Sequence, residues 1–306
     1  MINSVSIQNY KCFKDFSVQG FRLLNLFGGR NNVGKSNLLE AMYLGLNHNK
    51  LSEIARMRNT ENSNEFHKTF YYNYDFENKP VISLTRDSNV RRISILNEAN
   101  VKVIKAWEIT SNNSIILSKD VQFPILYSIN KTFDTAEKTG NEAILKKALK
   151  IIDADIENAR TFSDSNYLHI KKENSKIYIP LFAFGDALEK IMRYVVTIYN
   201  LNEEGAVQKC LFIDEIENGL HYTAQAEFWK MLFDLAIAFD IQIFATSHSL
   251  EMIKAFNEVA RKNNFENHAM YFEMAKTSKT NKIIANAMDS ERLHFEISKN
   301  QPFRGE

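Results

Sequence analysis

Three short runs of this sequence hold residues whose types and spacing suit phosphate chemistry. The first is Gly29-Arg30-Asn31-Asn32-Val33-Gly34-Lys35-Ser36-Asn37, which follows the apolar run Leu23 to Phe27 and opens a helical pattern. Glycines at that spacing let backbone N–H groups turn inward around phosphate oxygens. Lys35 would reach the β/γ oxygens of a nucleotide, and Ser36 would offer its hydroxyl to Mg²⁺ at a helix N-terminus whose dipole favours an anion. A glycine-rich turn without chemistry is the alternative, but the strand before and the helix after both match the context that a phosphate loop requires.

The second run, Cys210-Leu211-Phe212-Ile213-Asp214-Glu215, is an apolar strand that stops on two acids. A parallel sheet presents groups to a ligand at its carboxyl edge. Asp214 would there hold Mg²⁺ through its water shell, and Glu215 would orient or deprotonate the water attacking a γ-phosphate. The plainer alternative is a solvated strand end. The third run, Phe244-Ala245-Thr246-Ser247-His248-Ser249, follows the next apolar strand. His248 could donate to the γ-phosphate while staying close to Glu215, or the cluster could be only a helix cap with Ser247 or Ser249 in that role. Lys35, Glu215 and His248 are thus the candidate catalytic residues, with Ser36 and Asp214 as metal ligands.

The elements that must position these runs can be read from the rest of the chain. Its 306 residues are 44% hydrophobic and 25% charged, which describes an ordinary globular chain and excludes collagen-like and disordered classes. With 38 basic against 37 acidic side chains, binding to nucleic acid or to an anionic membrane has no global electrostatic basis. Two cysteines, Cys12 and Cys210, allow neither a disulfide framework nor a four-ligand zinc site, which points to a reducing cytoplasm. The N-terminus does not read as a signal peptide, and no apolar run of spanning length occurs, so no membrane association is expected.

The opening reads as two or three short strands, and residues 35 to 47 as an amphipathic helix. From about Pro80 to Tyr127, alternating β-branched segments predict an antiparallel sheet, and residues 141 to 160 carry a helical apolar stripe. After Pro180, helix and strand alternate: a helix from about Gly185 to Tyr199, a strand Cys210 to Asp214, a helix Tyr222 to Phe239, a strand Ile241 to Thr246 and a helix Leu250 to Lys262. That order predicts a parallel sheet covered by helices. Lys35 and Asp214 lie about 180 positions apart, too far for a fold with one or two βα units between them, so a large segment is inserted.

Together with the turn Phe184-Gly185-Asp186-Ala187 and the stretch Ile213-Asp214-Glu215-Ile216-Glu217-Asn218-Gly219-Leu220-His221-Tyr222, these motifs resemble the ABC-type AAA ATPases related to RecF, SMC heads and the OLD family. The resemblance covers about residues 1 to 60 and 165 to 306. It implies an α/β P-loop head with a mostly parallel core sheet, an antiparallel β subdomain and a helical inserted lobe. The corresponding division is 1–60, an inserted β/α lobe 61–164, and 165–306. It also implies that two heads dimerise head to tail around two ATP molecules, Gly185 and Asp186 acting in trans on the γ-phosphate and Glu217 to His221 crossing the interface. Asn9-Tyr10-Lys11-Cys12-Phe13 matches the family's opening, which would place Lys11 near the nucleotide.

Two departures stand out. The signature turn lacks the Ser-Gly-Gly of transporters and SMC proteins, and Gln122 has no recognisable glutamine-loop frame. Only 58 residues follow His248, too few for a nuclease domain of the Toprim kind, and Asp153-Ala154-Asp155 reads as a charged helix face. The expectation is an ATP-hydrolysing switch, a homodimer or higher homo-oligomer that controls a separate effector, a nuclease or toxin, in DNA maintenance or anti-phage defence. An alternative is a low-turnover ATP-binding scaffold that holds or inhibits a toxic effector. A transporter subunit would need the two missing motifs. Nucleic-acid contact stays open, through Arg56 to Lys68 or the Lys146-Lys147-Lys150 face.

Overall fold

The computed structural model describes residues 1–46, 69–87, 89–98, 101–109, 121–122, 128–203 and 209–299. The chain opens with β1 (Ile2–Tyr10) and β2 (Phe13–Gln19), an antiparallel pair whose inward residues Val5, Ile7, Phe13, Phe16 and Val18 alternate with polar ones. The fully buried β3 (Leu24–Gly29) leads through the glycine-rich loop into α1 (Lys35–Leu46). Next come β4 (Val81–Arg86), β5 (Asn89–Glu98) and β6 (Val101–Ile109), antiparallel as their alternation predicts. β4 pairs with β1, giving one five-stranded sheet in the order β2-β1-β4-β5-β6. Strands β4 to β6 of segment 61–164 are therefore continuous with the N-terminal hairpin.

The short β7 (Val121–Gln122) is followed by α2 (Ile129–Thr139), α3 (Ala143–Ile152) and a small antiparallel sheet of β8 (Ile156–Arg160), β9 (His169–Lys172) and β10 (Ile179–Pro180). The helical stripe read over 141–160 thus divides into a helix and a strand. Asp153 leaves the helical region at φ −151°, its carboxylate accepts the Asp155 N–H at 2.9 Å and pairs with Lys172 at 2.6 Å, and the chain turns. Ile156 keeps a helix-like spacing from Ile152 but is buried as the first residue of a strand. Asp153-Ala154-Asp155 is consequently a turn and no part of a helix face.

The remaining chain is α4 (Asp186–Glu203), β11 (Lys209–Ile213), α5 (Gln225–Phe239), β12 (Ile241–Thr246), α6 (Leu250–Lys262), β13 (Ala269–Lys276), β14 (Ile283–Met288) and α7 (Ser290–Ser298). The second large sheet has the order β14-β13-β3-β12-β11-β7, parallel except for β14. Both its faces are covered, so its strands are continuous apolar runs. On one face Phe27 stacks on Phe272 at 5.0 Å and Phe212 on Phe244 at 5.3 Å, with Phe21 edge-on to Phe244 and Phe272, and α1 and the antiparallel sheet pack over them. On the other face Leu26, Leu211, Ile213, Ile243 and Ala245 meet α4, α5 and α6 through Val195, Phe228 and Met252. Among the described residues no helix is long and apolar enough to cross a membrane.

Candidate functional site

Three neighbouring parallel strands end side by side. Phe27 of β3 lies opposite Thr246 of β12, and Ala245 opposite Ile213 of β11. The groups that follow them, the glycine-rich loop, His248 and Asp214, therefore gather at one carboxyl edge of the sheet.

The loop's backbone is set by two glycines at its ends. Val33 is buried while Arg30, Asn31 and Asn32 face solvent, and Gly34 to Asn37 are half-buried at the start of α1. Gly34 sits at φ +89°, where a Cβ would lie 2.6 Å from Cys12 Sγ and 2.9 Å from the Phe13 ring. Gly29, at φ +120°, has the Met274 carbonyl where a side chain would stand. Lys35 Nζ curls back to donate to the carbonyls of Gly29 at 2.8 Å and Arg30 at 3.0 Å. Burial lowers the Lys35 pKa, and the carboxylates of Glu217, Asp214, Glu273 and Glu215 pull it back up. Four carboxylates thus act on this one lysine.

Lys11, with φ +48°, turns its ammonium to Glu40 of α1 and to the ring of Phe70 at 5.3 Å. The neighbouring Cys12 accepts a hydrogen bond from Asn37 Nδ2 at 3.2 Å. The turn carrying Lys11 is thereby held against the phosphate loop, and Lys11 itself is engaged by an acid that sequence reading did not single out.

The acidic strand end is organised by Thr246. Its hydroxyl donates to Asp214 Oδ1 at 2.6 Å and accepts the Glu215 N–H at 2.8 Å. Glu215 is exposed, at φ +49°, and its Oε2 accepts from Asn218 Nδ2 at 2.7 Å. The left-handed step at Glu215 sends Ile216 fully into the core and brings Glu217 back beneath the end of β12. There Glu217 Oε1 accepts the His248 N–H at 2.9 Å and lies 2.8 Å from His248 Nδ1. His248 is therefore partnered by Glu217, where the sequence suggested proximity to Glu215. The Glu217 side chain is only 10% exposed, and its Oε2 has no hydrogen-bond partner among the described residues. Ser249 caps α6, accepting the Met252 N–H at 3.2 Å, so the capping role belongs to it and leaves His248 to Glu217.

The signature turn stands at the surface. Gly185, exposed with φ +94°, ends a 3-10 turn Leu181–Phe184 and hands the chain to α4 at Asp186, whose side chain lies outside the described residues. Phe182 and Tyr167 beside it are each 54% exposed, with ring centroids 4.9 Å apart. In the run Glu217 to His221, the first residue is tied to its own head while Asn218, Gly219 and His221 are exposed.

Of the residues considered for nucleic-acid contact, Arg56 to Lys68 lie outside the described residues, as does the side chain of Gln122, which has no glutamine-loop frame. Lys146 pairs with Glu142, Lys147 donates to the Ala238 carbonyl, and Lys150 reaches Glu173 and the Ala154 carbonyl.

A phosphate loop at the end of a buried parallel strand, with an acidic and a histidine-bearing strand end beside it, defines a P-loop ATPase of the ABC head type. The model of a family described as an AAA ATPase domain matches residues 1–194 and 189–253, and the chain belongs to that family of ATPases. It is 26% identical to a protein of Helicobacter pylori named ATP/GTP phosphatase, the match covering 89% of this chain and 92% of the relative. In fold it is similar to the SMC head domain of Thermotoga maritima, with TM-score 0.56, 9% identity and coverage of 93% and 98%. It is also similar to an SMC head described bound to the C-winged helix domain of ScpA, with TM-score 0.60, 11% identity and coverage of 96% and 99%. A third similar structure is an SMC head with an extended coiled coil, bound to the C-terminal domain of ScpA and derived from Pyrococcus furiosus, with TM-score 0.57, 8% identity and coverage of 98% and 99%.

Proposed function

We propose that this ATPase is a switch in which bound ATP closes two copies head to tail and hydrolysis releases them, the two states controlling a separate effector protein. The roles follow from the site. The loop from Gly29 to Asn37 and Lys35 would hold the β and γ phosphates, Lys35 leaving the Gly29 and Arg30 carbonyls to do so. Four carboxylates around Lys35 oppose a naked triphosphate, which supports a divalent cation held at Ser36 and Asp214. Mg²⁺ there would neutralise charge on the β and γ oxygens. Asp214, already oriented by Thr246, would keep its second oxygen for the ion's water shell. Glu215 would take a proton from the attacking water once Asn218 releases its Oε2, and His248, fixed by Glu217, would donate to the γ-phosphate.

The observation that carries the dimer is the solvent-exposed Gly185 turn flanked by Phe182 and Tyr167, an apolar surface beside a turn that would bind phosphate only when another copy supplies it. A partner on an SMC-like head, as the ScpA domains are on the two SMC heads, supports an effector that reads the head's state. We place that effector as a nuclease or toxin, in anti-phage defence or DNA maintenance. The engagement of Glu215 by Asn218 favours a second reading, a low-turnover scaffold that restrains a toxic partner.

The deciding experiment is the light-scattering mass of the Glu215→Gln protein with and without Mg-ATP. A doubling only with Mg-ATP supports the switch. An unchanged mass together with tight ATP binding transfers the case to the scaffold.

A further inference from the structure

The acidic turn is gripped from a second side. Lys190 lies in the first turns of α4, just past Gly185, and its Nζ donates to the carbonyl of Ile216 at 2.5 Å and to that of Asn218 at 2.8 Å. These two carbonyls bracket Glu217, the residue that holds both the main chain and the ring of His248. The Phe228 ring of α5, 5.6 Å away, covers the ammonium from the side of the core. Two charge-assisted bonds to carbonyls offset part of the hydration that burial takes from the ammonium, and they fix it on this turn. No sequence motif marks this lysine. Its place is set by the meeting of α4 with the turn after β11.

We propose that Lys190 is a positioning residue that ties the signature helix to the acidic turn of the same head, so that a displacement of Gly185 is passed to Glu215, Glu217 and His248. The tether is a feature of one chain. Its value as a signal between two heads rests on the head-to-tail reading above.

The tether is also sensitive to pH. Among the described residues the charge acting on Lys190 is that of Glu217 from the acidic turn, α5 presents the Phe228 ring, and Glu189 on its own helix is paired with Arg193. Burial lowers the Lys190 pKa to about 8 against the upward pull of Glu217. Below that value the ammonium is intact. Above it the charge-assisted bonds are lost, and at pH 9 about a tenth of the molecules retain them.

The test compares full-length wild type, Lys190→Arg and Lys190→Gln from pH 6.5 to 9.5. Amide hydrogen exchange over residues 214–221 is read against the arginine variant at each pH, which cancels the intrinsic dependence, and ATP hydrolysis is followed in the same samples. In wild type, protection of the turn and kcat should both fall about tenfold between pH 7 and 9, with KM for ATP changed less than twofold. The arginine variant should hold its protection and kcat across that range, since a guanidinium does not titrate there. The glutamine variant should resemble wild type at pH 9 throughout. Identical alkaline behaviour in wild type and Lys190→Arg would overturn the proposal and assign the titration to another group such as Lys35. Should the glutamine variant not fold, the first two proteins decide alone. Loss of the ATP-driven mass change with the exchange pattern intact sinks the switch reading and leaves the tether standing.

Discussion

Lys35 is the cation that holds the site's acids together, with four carboxylates acting on its ammonium and two loop carbonyls accepting from it. Its removal leaves those acids facing the phosphates alone. Lys35→Ala should therefore abolish ATP binding, measured by titration with a fluorescent ATP analogue, and retained affinity would contradict its assignment. Glu215→Gln keeps shape and loses the base. It should bind ATP normally and hydrolyse it at least about 100-fold more slowly in a phosphate-release assay, and near-normal turnover would remove Glu215 from that role. Because Glu217 Oε1 grips both the main chain and the ring of His248, the two side chains should act as one unit. Glu217→Gln and His248→Ala should each lower kcat by a similar factor, and the double variant should lose no more than the worse single. Additive losses in that cycle would separate them. The motif residues were legible in the sequence because phosphate chemistry demands fixed types at fixed spacing. The Glu217–His248 pairing was not, because it depends on the left-handed backbone at Glu215, which spacing alone does not reveal.

The elements that build this site are joined by a polar link inside an apolar core. Gln242 in β12 accepts the Ile2 N–H at 2.8 Å and donates to the carbonyls of Ile2 at 2.9 Å and Arg22 at 3.0 Å. It thereby joins the first strand of the antiparallel sheet to the parallel one at a fully buried position. Gln242→Ala should cost about 2–4 kcal/mol and lower the melting temperature, since the Ile2 N–H and carbonyl would lose this buried partner while the Arg22 carbonyl keeps Asn25 Nδ2. Calorimetry showing no change would mean that the link contributes nothing. Strand–helix alternation after Pro180 was readable because each buried strand is a continuous apolar run, but the order of the parallel core, with β3 between β12 and β13, was not. The partner of the 80–109 strands was not readable: β4 pairs with β1 some 80 residues earlier, and no local pattern encodes that distance. Periodicity also failed at 153–160, where Ile152 and Ile156 satisfy helical spacing although a turn at Asp153 separates them. Glu273, held by Tyr271 on β13 and acting on Lys35 from below, belongs to no motif and was visible only once β13 was placed beside β3.

For the whole molecule the question is what covers the signature surface. A monomer gains nothing from leaving Phe182 and Tyr167 each half in water, their rings in contact, next to a glycine turn that no described residue of its own head covers. In the closed state proposed above, that surface would be sealed against the second head, and burial of two aromatic side chains would contribute on the order of 3 kcal/mol per interface copy. The pair Phe182→Ser and Tyr167→Ser should then leave the melting temperature and the ATP affinity of the monomer close to wild type, because neither ring is part of the core. In the Glu215→Gln background the same pair should raise the protein concentration needed for ATP-driven dimerisation by a factor of about 10⁴, two copies of the surface being lost at once. Sedimentation velocity over a concentration series with Mg-ATP measures this directly. Dimerisation at unchanged concentration would place these rings outside the interface and leave them as the seat of a different partner.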